Sequence, residues 1–156
     1  MQAVPEDLCR RLQRPLWIRG HRLANRLVLA PMAQLGHVAY RELLSAYGGC
    51  GLTFSEMCSA RRVPTENPTH SPYFRWRDEE RPQLVIQIVG ADPAEMAAAA
   101  RRIQAEGLFG VDLNFGCSVA AICKQDCGAA LLEAPERAAA IVAAVREAVD
   151  LPLFVK

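Results

Sequence analysis

Apolar residues in this chain gather into five short, nearly continuous blocks separated by longer segments with helical spacing. The blocks are "LVLAP" (Leu27 to Pro31), "LTFSEM" (Leu52 to Met57), "QLVIQIVG" (Gln83 to Gly90), "GVDLNFG" (Gly110 to Gly116) and "LPLFVK" (Leu151 to Lys156). Each is too short for a helix and lacks strict apolar–polar alternation. That pattern predicts strands covered on both faces, as in a parallel sheet. Between them, "VAYRELLSAYGG" places Tyr40, Leu43, Leu44 and Tyr47 at helical spacing and closes on Gly48-Gly49. "DPAEMAAAARRIQAEG" predicts a helix capped by Asp92, with Pro93 at its first position and Gly107 at its end. "APERAAAIVAAVREAV" predicts another. Ahead of the first block, two extended pieces flank Arg19-Gly20-His21 and predict a hairpin around residues 15–27. A polar loop with four prolines, Ser59 to Pro82, is the longest connection, and loops of that length are usually functional or mobile.

Strand–helix alternation with parallel strands leaves two architectures, a (β/α) barrel or a doubly wound sheet. No Gly-x-Gly-x-x-Gly follows the first strand, which weakens a dinucleotide-binding reading. Polar residues collect at the C-terminal ends of the blocks: Pro31-Met32, Ser55-Glu56, Gln87, Asn114 to Cys117, and Lys156. In a (β/α) barrel that end carries the chemistry. Taken singly, each has a plainer reading: a paired rim charge at Glu56, backbone satisfaction at Gln87, loop ordering at Asn114.

Composition narrows the function classes. Apolar residues make up 51% of the 156, which excludes a disordered chain, and 18 basic side chains nearly balance 17 acidic ones. That balance gives no global attraction to nucleic acid, so any RNA contact has to come from local patches or from elsewhere. No apolar run approaches the roughly 20 residues that span a bilayer, and the N-terminus lacks a signal core. A cytoplasmic protein with no membrane partner is expected, and its six cysteines are expected as free thiols. Cys117, Cys123 and Cys127 are spaced C-x5-C-x3-C, without the tight pair or nearby histidine of structural zinc; a metal or interaction module stays as an alternative, with no metal as the expectation.

The residues also match a family. "NRLVLAPMA", the Tyr40-Arg41 pair, "SEMCSA", "LVIQIVGADPAEMAAAAR", "GVDLNFGC", "GAALL" and "LPLFVK" follow one another as in the tRNA-dihydrouridine synthases, which this chain resembles from about Asn25 onward. The resemblance implies an FMN-binding (β/α)8 TIM barrel, of which residues 1–156 hold the first four βα units and strand five. The second half of the barrel, with its phosphate-binding loops, and a helical RNA-binding domain are expected to lie outside this chain. The exposed edge of the fifth strand is a candidate for self-association.

The activity implied is flavin-dependent reduction of uridine to 5,6-dihydrouridine in tRNA, with NADPH as reductant. The resemblance makes Cys117 the acid that protonates C5. It gives Pro31, Met32, Gln87 and Lys156 to FMN and Asn114 to the uracil edge. A thiol near its ordinary pKa of about 8.5 is mostly protonated at neutral pH and suits that role. Three positions depart from the family pattern: Ser118 stands where a proline follows the cysteine, Gln34 replaces a glycine, and His37 replaces an aspartate. Alternatives are another FMN barrel oxidoreductase, of the dihydroorotate dehydrogenase or ene-reductase type, and a non-catalytic fragment.

Overall fold

A computed structural model describes residues 5–156. A short helix α1 (Glu6–Leu12) leads into an antiparallel hairpin, β1 (Leu16–Ile18) and β2 (His21–Leu23), turning at Arg19-Gly20. The remaining strands are β3 (Val28–Leu29), β4 (Leu52–Ser59), β5 (Leu84–Val89), β6 (Gly110–Leu113) and β7 (Leu153–Val155). They form one parallel sheet in sequence order, with helices α2 (Val38–Ala46), α3 (Pro93–Ala105), α4 (Ala120–Cys123) and α5 (Pro135–Ala148) in the connections. Sequential parallel order with helical crossovers is the layout of half a (β/α) barrel; a doubly wound sheet would reverse its strand order.

The strand sequences explain two separate cores. In β5, Leu84, Ile86 and Ile88 face α3 and α5 and pack with Met96, Ala99, Ile103, Ile141 and Val145. Val85 faces the other way, joining Leu52, Phe54 and Phe109 against Leu16, Ile18 and Leu23 of the hairpin. The hairpin therefore covers the N-terminal end of the sheet's inner face. Higher on that face apolar residues give way to Gln87, Asp112 and Asn114. An apolar run on both faces that turns polar at one end of one face is what places a site there.

Two helices form where the sequence signals lie. Asp92 Oδ1 accepts the Glu95 N–H at 2.8 Å, capping α3, and Pro93 starts it. Pro135 starts α5.

Three expectations need correction. The first block pairs over only two residues, Val28 with Leu52 and Leu29 with Thr53, and Val28 is 51% exposed. It is the sheet's edge, and Pro31 has no N–H to extend the ladder. In α2 the apolar set does not form a buried stripe: Leu43 and Tyr47 are exposed, and the buried residue is Arg41. Arg41 Nε and Nη2 reach the two Glu80 carboxylate oxygens at 3.0 and 3.1 Å, and two further donors go to the carbonyls of Gly36 and Arg75. Lastly, the long loop is packed. It carries two 3-10 turns, sends Val63 and Phe74 into the core, and is tied to α2 by the Arg41–Glu80 pair. A polar sequence here includes polar groups paired under the surface, among them Glu80 and Ser71, while Arg77 Nε is buried without a partner.

Candidate active site

β4 carries an irregularity between Phe54 and Met57, so that Met57, not Glu56, sits opposite Gln87. Bulges re-aim side chains at strand ends. The Gln87 N–H is taken up by Ser55 Oγ at 3.0 Å, and Ser55 donates to the Glu56 carbonyl at 2.7 Å. Gln87 pairs with Asp112 in register across β5 and β6. From there a chain of amides runs upward. Gln87 Nε2 donates to Asp112 Oδ2 at 2.5 Å, Asn114 Nδ2 donates to Gln87 Oε1 at 2.9 Å, and Asn114 Oδ1 accepts the N–H groups of Gly116 and Cys117 at 3.2 and 3.0 Å. A carboxylate only accepts and backbone N–H groups only donate, so both ends dictate the same orientation of each amide.

Cys117 is half-buried and free. Its backbone is held from both sides, by Asn114 on the N–H and by the Ala129 N–H on the carbonyl at 2.9 Å. Gly128, the glycine of "GAALL", explains that motif. Its φ is +63°, and a Cβ there would stand 2.5 Å from the Cys117 carbonyl oxygen. Only glycine lets the two segments meet.

The other two cysteines of the stretch spend their S–H groups on carbonyls, Cys123 on Cys117 and Cys127 on Gln125. Among the described residues no three His, Cys, Asp or Glu side chains converge on a metal position. Burial pushes the Cys58 thiol up to about 12, and raises Cys127 with the help of Asp126 and Glu95.

The other candidates sit around this network. Lys156 is exposed; its backbone bonds to Leu113 and Phe115 hold β7 beside β6, and its side chain runs past Gly116. Pro31 and Met32 are half-buried at the end of β3, and the Met32 carbonyl accepts the Gly36 N–H at 2.8 Å. Two of the departures from the family pattern acquire a structural meaning. Gln34 stands at φ +65°, a conformation glycine adopts freely, and its N–H is recruited by the buried Glu56 carboxylate at 2.5 Å. His37 caps α2, accepting the Tyr40 N–H at Nδ1, a task aspartate performs equally.

Asp112 is the residue the sequence reading passed over. It is 1% exposed, and its Oδ1 is buried without a partner. Burial pushes its carboxyl up, against the opposing pull of the Gln87 hydrogen bond and the Lys156 charge. Its position two residues before Asn114, on the same strand face, was the signal for it. Gln87 retains one N–H and one lone pair. With the Lys156 ammonium and the orphaned Asp112 oxygen, this donor set suits the edge of a planar heterocycle that alternates carbonyl and N–H groups. Two clefts lie over the ends of β4 and β5; neither is lined by Gln87, Asp112, Asn114 or Cys117, and the smaller reaches the network through Met57. One, about 370 Å³, is lined by Ser59, Arg61, Gly90, Asp92, Ile122 and Cys127; the other, about 200 Å³, by Met57, Arg62, Tyr73 and Ile122 among others.

Parallel strands in sequence order, with a polar network on their C-terminal ends and a thiol fixed just beyond β6, define a segment of a (β/α)-barrel protein. The chain matches the dihydrouridine synthase family model over residues 28–156 and belongs to that family. It is 37% identical over 140 residues to tRNA-dihydrouridine synthase B of Serratia marcescens, covering 89% of this chain and 41% of that protein. It is 38% identical over 136 residues to the protein of the same name from Pectobacterium carotovorum, covering 86% and 41%, and 36% identical over 140 residues to that of Escherichia coli K12, covering 89% and 43%. The chain thus spans about two fifths of the length of the curated relatives it matches.

Proposed function

We propose that this chain supplies the thiol-bearing part of an enzyme that reduces uridine to 5,6-dihydrouridine in tRNA. The observation that carries the reading is the amide chain Asp112–Gln87–Asn114, which ends on the backbone N–H of Cys117 at 3.0 Å and fixes that thiol at the strand ends. FMN, reduced by NADPH, supplies the hydride to C6 of the uracil when bound.

The chain's own residues do the rest. Cys117 gives its S–H proton to C5 and takes a proton back from solvent, so the ring gains one hydride and one proton in total. Lys156 would set its positive charge against the pyrimidine edge of a bound flavin. Gln87 would offer its remaining N–H and lone pair to that edge, and Pro31 and Met32 would bring the end of β3 against the ring. Asn114 first positions the Cys117 turn. Its Nδ2 also lies 3.3 Å from Met57 Sδ, a weak acceptor that a uracil carbonyl would readily replace. Gly128, seated against Cys117, favours this reading over other FMN barrels, since the match of "DLNFGC" with "GAALL" then has a steric reason. A cytoplasmic enzyme would meet such a tRNA substrate.

The test is expression of the full reading frame that contains these residues, followed by mass spectrometry of tRNA nucleosides from cells lacking their own synthases. Dihydrouridine that appears with the wild type and not with Cys117→Ala supports the assignment. Its absence with a folded, flavin-loaded wild type overturns it.

A further inference from the structure

The chain's near-neutral charge conceals a segregation. Residues 1–26 hold six of the 18 basic side chains, all arginine, and two of the 17 acidic ones, a net of +4; the other 130 residues carry a net of −3. Arg10, Arg11, Arg14, Arg19, Arg22 and Arg26 are all exposed, and none lies within ion-pair distance of a carboxylate among the described residues.

The fold draws them together. Arg10, Arg11 and Arg14 line a surface cleft of about 470 Å³ with Asp7. The Arg26 N–H donates to the Leu12 carbonyl at 2.8 Å, which pins the exit of the hairpin to the end of α1. Within the hairpin, Leu16, Ile18 and Leu23 turn toward the sheet, while Trp17 and Arg22 stand opposite each other in register on the outer side. Trp17 is 63% exposed.

We propose that α1 and the outer face of the β1–β2 hairpin form a second RNA-binding surface, in which the arginines take phosphates and Trp17 stacks on an unpaired base. Guanidinium forks match phosphate oxygens, and an exposed indole among them is the usual platform for a single-stranded base. The surface lies at the N-terminal end of the sheet, whereas Cys117 lies beyond the C-terminal end. The eight residues of β4 alone separate these ends by about 26 Å. The patch therefore grips a stretch of RNA other than the nucleotide being reduced. The choice of RNA over another polyanion rests on the function proposed above.

The experiment uses the purified chain at the full length of its reading frame, with fluorescence anisotropy of a labelled single-stranded dodecauridylate across a salt series. Each phosphate neutralised contributes about −0.7 to the slope of log K against log salt. Replacing Arg10, Arg14, Arg19 and Arg22 with alanine is expected to lower affinity by about tenfold or more and to flatten the slope by two or more units. Trp17→Ala is expected to weaken binding by about fivefold or more with the slope unchanged. RNA should quench the part of the tryptophan fluorescence that Trp17→Ala removes. These side chains support no core, so melting temperatures should not move; should the fourfold variant melt early, Arg19→Glu with Arg22→Glu replaces it. Unchanged affinity and slope in the folded variants would overturn the proposal, as would binding of phosphatidylserine vesicles in place of RNA. The readout is independent of turnover, so a failure to form dihydrouridine sinks the catalytic reading and leaves this one standing.

Discussion

Gly128 and Cys117 touch so closely that no side chain fits between them: a Cβ on Gly128 would stand 2.5 Å from the Cys117 carbonyl oxygen and 3.2 Å from its Cβ. Gly128→Ala must therefore move the thiol. The left-handed φ alone costs roughly 1–2 kcal/mol for alanine, and the contact adds to it. We expect a stability loss of about 2 kcal/mol or more by denaturant titration, and a changed rate of Cys117 alkylation. An unaltered alkylation rate would mean the turn does not depend on this contact.

The three clustered cysteines should separate on mutation. Cys117→Ala should lower dihydrouridine formation by about 10²–10⁴-fold while flavin binding and flavin reduction by NADPH persist. Cys123→Ala and Cys127→Ala lose only a carbonyl contact each and should cost little. Equal losses at all three positions would point back to a shared metal site.

Asp112 predicts an inverted pH response. Burial raises its carboxyl above the ordinary 3.8, so the folded state takes up this proton before the unfolded state does. The ionised form thus costs stability at neutral pH, and that cost shrinks as pH falls through the folded value toward 3.8. Asp112→Asn, which can still accept from Gln87, should melt higher than the wild type at pH 7, with the gain fading as the medium is acidified. A constant difference at all pH values would show that the carboxyl does not titrate differently in the two states.

Arg41 and Glu80, 1% and 2% exposed, hold the long loop to α2. Removing one partner strands a buried charge, which typically costs about 3–5 kcal/mol. Arg41→Ala should unfold at distinctly lower denaturant and expose the segment from Ser59 to Pro82 to proteolysis first. Arg41→Met paired with Glu80→Leu should recover much of the loss. Failure of the pair to recover anything would assign the effect to the Gly36 and Arg75 carbonyls instead.

A polypeptide of these 156 residues alone should hold FMN weakly. In the function proposed above Met32, Gln87 and Lys156 would meet the flavin ring, whereas the phosphate site of a (β/α) barrel is frequently formed by the loops after strands 7 and 8. Loss of three charge-assisted hydrogen bonds, each worth about 1.5–3 kcal/mol, lowers affinity by several powers of ten. Gel filtration with absorbance in the flavin band checks this. A stoichiometric yellow monomer would overturn it, and would also count against association through β7.

The parallel strand order and α3 were legible because local signals and burial agree: Asp92-Pro93 starts the helix, and Leu84, Ile86 and Ile88 alternate with Val85 and Gln87 across two cores. The α2 stripe was misread because helical spacing of Tyr40, Leu43, Leu44 and Tyr47 says nothing of whether a neighbour exists to cover them. Arg41 and Glu80, 39 positions apart, form a pair that no local pattern can reveal. At the site, Cys117 and Asn114 stood out from the turn after a strand. Asp112 was hidden by its place inside an apolar run, where a carboxylate reads as an exception and its cross-strand partner Gln87 cannot be seen.

The Gly116 and Cys117 N–H groups are closed by the Asn114 side chain, and Asn114 in turn hangs from Gln87 and Asp112 inside the sheet. Most loops open on their own, at little free-energy cost and on fast timescales. This turn has no such freedom, because releasing it means parting a buried hydrogen-bond chain that spans two central strands. Its opening rate is therefore tied to that of β5 and β6, and the thiol keeps its aim for as long as the sheet itself stays closed.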